Sequence, residues 1–393
     1  MRKFIFILIA YALLFNNVYA SELFVKKNEY IIPGFKTTAG ASIKNVRIGW
    51  ESYGTLNEDR DNVILIEHFF SGNSHAAGKY RDSDAQSGYW DALIGPNKLF
   101  DTNKYFIISS DSLSNFSAKS PDVITTGPAS INPDTGKQYG MSFPILSIRD
   151  FVNAQKYLLD SLNVKSIHAV VGTSFGALQA LEWGVAYPHY TKRIISSIGG
   201  VESDPFLIEL LNFWSLPIKL DPNWNNGNYY GGLEPSIGVT ESLKMAILHS
   251  RHWKWADTSF ARSWANNNLD PSMSINNLYS IERSLNDTAS TWSKFGDANS
   301  FLYLVKAWQN FTLGNSDSWY QSVNHIESSV LWIASSDDLL YPKERFMSMH
   351  FNSLSQSLRN FEYTDIVSSS SGHFDGLGHI DKASEIIQIF LSK

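Results

Sequence analysis

Hydrophobic and polar positions alternate with a period of two over Tyr30 to Pro33 and Asn45 to Tyr53, the pattern of paired strands with one buried face. Val63 to Ile66 is instead a short continuous apolar run, flanked by Asp61-Asn62 and Gly72. Similar β-branched or aromatic runs follow at Tyr105 to Ser109, Ile167 to Val171, Ile194 to Ile198, Val330 to Ala334 and Phe361 to Ile366. Helix-length amphipathic segments such as Ile148 to Leu162 separate several of them. Strand and helix in alternation predict an α/β fold, a mostly parallel central sheet flanked by helices on both faces. From about Asp204 to Tyr320 the alternation stops. That stretch is rich in Trp, Asn, Ser and Tyr, with helical patches at Glu241 to His252 and Phe301 to Phe311, and it reads as an inserted helical lid.

The first residues follow another rule. Arg2 and Lys3 precede an apolar run from Phe4 to Phe15, and Val18-Tyr19-Ala20 carries the small residues of a cleavage site. The run is too short to span a bilayer, which needs about 20 residues. The organisation expected is a signal peptide over residues 1–20, cut near Ala20, a sheet domain over 21–203 and 321–393, and the lid over 204–320. The exported product would be periplasmic or secreted.

Of 393 residues, 43% are hydrophobic and 18% charged, and the net charge of -6 is spread without long like-charge runs. This balance supports a sizeable core and argues against a nucleic-acid footprint. The absence of cysteine rules out disulfides and thiolate metal sites, and no metal-ligand cluster or phosphate-cradling loop implies a cofactor. Small-molecule partners fit best. The oligomeric state stays open, a homodimer included.

The candidate chemistry is concentrated in Ala169-Val170-Val171-Gly172-Thr173-Ser174-Phe175-Gly176-Ala177, an apolar strand running into Gly-x-Ser-x-Gly and then into a helix stopped by Pro188. A serine on such a strained turn is placed as a nucleophile, with the helix N-terminus favouring negative charge beside it. A serine hydroxyl needs a base, and the base needs an orienting carboxylate. In this type of fold the chain order is serine, acid, histidine. Leu331 to Ala334 ends near Asp337 and Asp338, of which Asp338 is the favoured acid and Asp337 its competitor. His373, the first histidine after the last strand, is the favoured base, with His379 as the alternative. Backbone N–H groups of Phe175 and of Phe70, preferred over Phe69, would form the oxyanion hole, each worth about 3 kcal/mol.

Longer segments carry a resemblance. Tyr53-Gly54-Thr55-Leu56-Asn57, Gly88 to Pro96, Gly127 to Pro133, the elbow with Gln179 to Trp183, Asp221-Pro222-Asn223-Trp224 and Asp338 to Pro342 resemble the homoserine O-acetyltransferase family, whose members have the α/β-hydrolase fold. The resemblance covers nearly the whole mature chain and places Ser174, Asp338 and His373 on the family's triad positions. It implies acetyl transfer from acetyl-CoA through the serine to an amino-acid hydroxyl. The family's acceptor-binding arginine and tyrosine correspond to Lys244 and Arg251 here. Its aspartate after the histidine is replaced by Phe374, with Asp375 one step on. Lysine cannot copy a bidentate arginine clamp, and phenylalanine cannot pair with an ammonium.

Three readings follow. The first is an exported ester hydrolase or CoA-independent acyltransferase, with an ester or thioester donor and water or an alcohol as acceptor. The second is acetyl-CoA-dependent homoserine acetylation. The third is an inactive binding protein whose lid, in a chain with 12 Trp and 18 Tyr, stacks on a ligand. Export favours the first, because an exported enzyme would not be expected to meet acetyl-CoA.

Overall fold

The structure is a computed structural model that describes residues 23–366 and 370–393. The signal segment and its cleavage point lie outside the described residues. Eight strands form one sheet: β1 (Asn28–Lys36), β2 (Ser42–Tyr53), β3 (Val63–Glu67), β4 (Phe106–Ser110), β5 (Ile167–Thr173), β6 (Arg193–Ser197), β7 (Ser329–Ser335) and β8 (Phe361–Ile366). Their spatial order is β1-β2-β4-β3-β5-β6-β7-β8. The β1/β2 and β2/β4 pairs are antiparallel, and every other pair is parallel. Each run read from the sequence falls on one of these strands, with Tyr105 and Ile198 one residue outside, and the protein has the α/β-hydrolase fold. Pro33, which lacks an N–H, is tolerated because β1 is an edge strand.

The central strands are buried on both faces, so their sequences are apolar runs without alternation. Val63, Leu65 and Val170 point into one core layer, and Ile64, Ile66, Ala169 and Val171 into the other. Helix α1 (Ile148–Ser161) starts at a capping box between Ser147 and Asp150, and α2 (Phe175–Ala186) follows β5 without a linker.

Between β6 and β7 the chain forms α3 (Pro205–Leu220), α4 (Ser236–His249), α5 (Trp253–Phe260), α6 (Ser280–Ser293) and α7 (Ala298–Gln309). Helix α3 begins where Asp204 caps Phe206 and Leu207 and Pro205 takes the first turn, a start signal that the mixed composition of the segment obscures. These helices dock through aromatic side chains. Phe70 meets Phe301 at 5.1 Å and Trp214 at 6.0 Å between ring centroids, and Phe175 meets Trp308 at 5.7 Å. No helix among the described residues is long and apolar enough to cross a membrane.

The junction of β3 with α2 leaves no room for a side chain. A Cβ on Gly176 would stand 2.1 Å from the Glu67 carbonyl oxygen, and one on Gly172 would stand 2.0 Å from the Gly176 oxygen. Both obstacles are backbone and cannot swing aside. The Glu67 side chain is buried beneath α1 and α2, accepting from Gln155 Nε2 at 2.6 Å and Trp183 Nε1 at 3.0 Å. Burial raises its carboxyl to about 8, against the opposing pull of those two hydrogen bonds.

Two predictions follow from this junction. Gly176→Ala should destabilise the fold by more than ~2 kcal/mol, seen as a lower midpoint in urea denaturation, and an unchanged midpoint would show that the close approach is not real. For Glu67, the native state holds a proton that the unfolded chain releases above the ordinary carboxylate range. Stability should therefore fall by up to ~1.4 kcal/mol per pH unit as pH climbs from that range to about 8, and level off beyond it. Glu67→Gln should remove that slope; an identical pH dependence in the variant would contradict a protonated Glu67.

Candidate active site

Ser174 occupies the step from β5 to α2 with φ 57° and ψ -121°, a region that side-chain-bearing residues rarely adopt. The two glycines on either side of it let the strand, the turn and the helix come close enough to hold that geometry. Its Oγ lies 2.7 Å from Nε2 of His373, and Nδ1 of the same ring lies 2.7 Å from Oδ2 of Asp338. All three side chains are buried.

Each partner is fixed from behind. Asp338 follows β7, and its Oδ1 accepts from the N–H groups of Leu340 at 2.8 Å and Tyr341 at 3.0 Å, so Oδ2 is left facing the imidazole. The histidine loop is tied to the sheet: Ser335 donates to Gly372 O at 2.8 Å, and Thr173 and Ser197 each donate to Gly376 O at 3.0 Å. Its neighbour Tyr341 lies at 6.0 Å between ring centroids and accepts from Trp308 Nε1 at 2.8 Å. An imidazole held between a hydroxyl and a carboxylate can take the serine proton and keep its tautomer while doing so.

The competing residues stand elsewhere. Asp337 faces the lid, 3.8 Å from both His252 Nδ1 and Lys254 Nζ. His379 donates its backbone N–H to Asp375 O at the end of the short helix Asp375–Gly378.

A cavity of about 100 Å³ opens at the serine, lined by Phe69, Phe70, Ser174, Trp214, Arg251 and His373 among others. Leu243, Ala246, Ile247 and Ser250 supply its lid wall. They fall at the i, i+3, i+4, i+7 spacing of one helical face, a signal present in the sequence within the helical patch Glu241 to His252. Phe175 begins α2, so its N–H belongs to the first turn, where intrahelical acceptors are lacking. Phe70 packs its ring against Phe175 and Phe301 and also lines the cavity.

Of the residues read as acceptor-binding, the structure brings Arg251 to the cavity wall and not the others. Lys244 pairs with Glu241 at 2.9 Å and does not line the cavity, because α4 turns Leu243 and Ile247 inward instead. Asp375 is fully buried behind Phe374, and its charge acts on Arg251 from there.

A second, more polar groove adjoins the first and shares Phe69, Ser71 and Trp292 with it. Its floor includes His75, which the sequence did not single out. His75 Nδ1 lies 3.0 Å from Glu51 Oε2, Tyr80 donates to Glu51 at 2.6 Å, and Lys27 Nζ lies 3.0 Å from the same carboxylate. Burial alone would raise the Glu51 carboxyl, but the hydrogen bond from His75, the Lys27 charge and the Tyr80 hydroxyl outweigh it and hold it at about 2. This cluster pins the loop that carries Phe70.

Comparison with known proteins agrees with this geometry. The α/β hydrolase fold family model matches residues 50–379. A homoserine O-acetyltransferase of Methanosalsum zhilinae is 36% identical over 91% of this chain and 70% of its own length. Among solved structures, esterase E22 has a TM-score of 0.88 at 41% identity, covering 93% of this chain and 100% of that one. Homoserine O-acetyltransferase from Bacillus anthracis also has a TM-score of 0.88, at 35% identity over 94% of this chain and 98% of that one. A family model spanning most of the chain, together with relatives above 30% identity covered over 70–100% of their own length, establishes that this α/β-hydrolase-fold chain belongs to the homoserine O-acetyltransferase family and is an enzyme of the acyltransferase/hydrolase kind.

Proposed function

We propose that the protein moves an acetyl group from acetyl-CoA to the hydroxyl of homoserine through an acyl-Ser174 intermediate. The observation that carries the reading is the Ser174–His373–Asp338 chain of 2.7 Å contacts, in a polypeptide 94% of which aligns with a homoserine O-acetyltransferase of known structure. The curated relatives weigh more heavily for this reading than for the exported hydrolase that the N-terminal segment suggested.

In the first half-reaction His373 Nε2 takes the Ser174 proton while Oγ attacks the thioester carbon. The N–H groups of Phe175 and Phe70 receive the developing oxyanion, and the CoA sulfur departs with the proton from the imidazolium. In the second, the acceptor hydroxyl gives its proton to His373 and attacks the acyl carbon, and Ser174 Oγ leaves and regains its proton. Asp338 stabilises the imidazolium in both halves. A cavity of about 100 Å³ suits an acyl group of few carbons.

A second reading, with water as acceptor, has a specific observation in its favour. The wall where an amino-acid acceptor would need a carboxylate is Phe374, whose ring is covered by the Arg251 guanidinium at 3.8 Å. Esterase E22 is also the more identical of the two solved structures compared. Export of the chain would weigh the same way.

Thiol release from acetyl-CoA should depend on added homoserine and yield O-acetylhomoserine. Release of p-nitrophenol from p-nitrophenyl acetate, without any acetylated homoserine, would transfer the conclusion to hydrolysis. A folded protein with neither activity would sink both readings. Ser174→Ala should lower kcat by ~10⁴-fold or more, and Asp338→Asn by ~10³–10⁴-fold, with circular dichroism unchanged.

A further inference from the structure

The lid and the catalytic loops are joined at one place by four separate contacts. The Phe374 N–H donates to Ser250 O at 3.1 Å, directly beyond α4. Gly372, at φ 70°, leaves so little room that a Cβ there would stand 2.7 Å from the His252 nitrogen. Asp337, next to the triad carboxylate, faces His252 and Lys254 at 3.8 Å each. The Arg251 guanidinium lies 3.8 Å above the Phe374 ring, with the Trp255 ring 5.1 Å away on the same cation.

Residues 250–255 therefore touch both loops that position the imidazole, one carrying Asp337 and Asp338, the other Gly372 to Phe374. Arg251 is the member that commits a charge. Burial disfavours its cation, the Asp375 charge supports it, and its Nε is buried without a hydrogen-bond partner. A partly buried cation seated over an aromatic ring restrains that ring.

We propose that Arg251 is a positioning residue: by stacking on Phe374 it fixes the loop carrying His373, so that the lid serves as a brace for the catalytic base. The inference rests on the acyl-Ser174 reading but on neither choice of acceptor. It assigns Arg251 a role different from the substrate contact implied by its place in the family, because the ring it covers belongs to the residue bonded to the base. Phe374 is likewise half of a pair. Leucine there would fill space but offer no face to the cation.

The test uses the full chain and the rate at which a fluorophosphonate labels Ser174, read as a limiting rate and a half-saturating concentration. Arg251→Met should lower the limiting rate by ~10–100-fold, as a small misplacement of a base does, with the half-saturating concentration within about threefold. Arg251→Lys should recover only part of the loss, because an ammonium keeps the charge over the ring but not the planar stack. Phe374→Leu should cost as much as Arg251→Met, and the double variant no more than either, since both remove one stack. The low-field proton resonance of His373 Nδ1–H, sharp in the parent, should broaden in Arg251→Met.

A rise in half-saturating concentration at an unchanged limiting rate would overturn the inference and make Arg251 a substrate contact. Additive losses in the double variant, or Lys performing no better than Met, would overturn it as well. A folded parent protein that takes no label would instead defeat the triad assignment.

Discussion

The backbone of Ser174 is held at φ 57° and ψ -121° by crowding from behind, and every other feature of the site is arranged around that fixed point. Two glycines permit the crowding. Gly176 lies against the carbonyl of Glu67, and Gly172 lies against Gly176, so strand, turn and helix form a stack with no room for a methyl group. The strain stored there lifts the serine clear of the C-terminal end of β5 to meet an imidazole from a loop 199 residues away in sequence. The same contact places Glu67 at the start of the loop that carries Phe70, so the candidate nucleophile and the proposed oxyanion donor share one support.

Around that point the protein buries two carboxyl groups in different ways. Glu67 is surrounded by neutral donors, and desolvation wins, raising its carboxyl to about 8. Glu51 is equally buried but has Lys27, His75 and Tyr80 on it, and there the partners win. The difference is consistent with function. The first group sits under the elbow, where a neutral, hydrogen-bonded plug packs well. The second ties three chain segments together, where a charge gives several donors a common target.

Much of this architecture is visible in the sequence because the parallel strands leave no choice of composition. Buried on both faces, they must be apolar runs such as Val63 to Ile66, and six such runs, with the two alternating stretches before them, locate the sheet. The elbow is legible for the opposite reason: its glycines are dictated by atoms of the local backbone. Asp338 and His373 are legible from chain order and strand ends, although the choice of Asp338 over Asp337 depends on which way a loop residue points, and only the Leu340 and Tyr341 N–H groups reveal it. The lid is harder. Helices α3, α5 and α6 hide in a stretch rich in Ser, Asn and Trp, because tertiary docking and caps, more than intrinsic preference, hold them in place. Lys244 and Arg251 show the cost of that: seven residues apart on a helix and the turn beyond it, one ends on Glu241 at the outer face and the other against Phe374.

The lid enters and leaves the sheet domain between two adjacent parallel strands, β6 and β7, which makes it look like a cassette that could be exchanged for another. The contact of Phe374 with Ser250 and Arg251 argues otherwise. A chimera built by grafting a foreign cap onto this scaffold would inherit a nucleophile but lose the strut behind its histidine. Transplants in this lineage should therefore carry the turn after α4 and the residue following the histidine as one inseparable module.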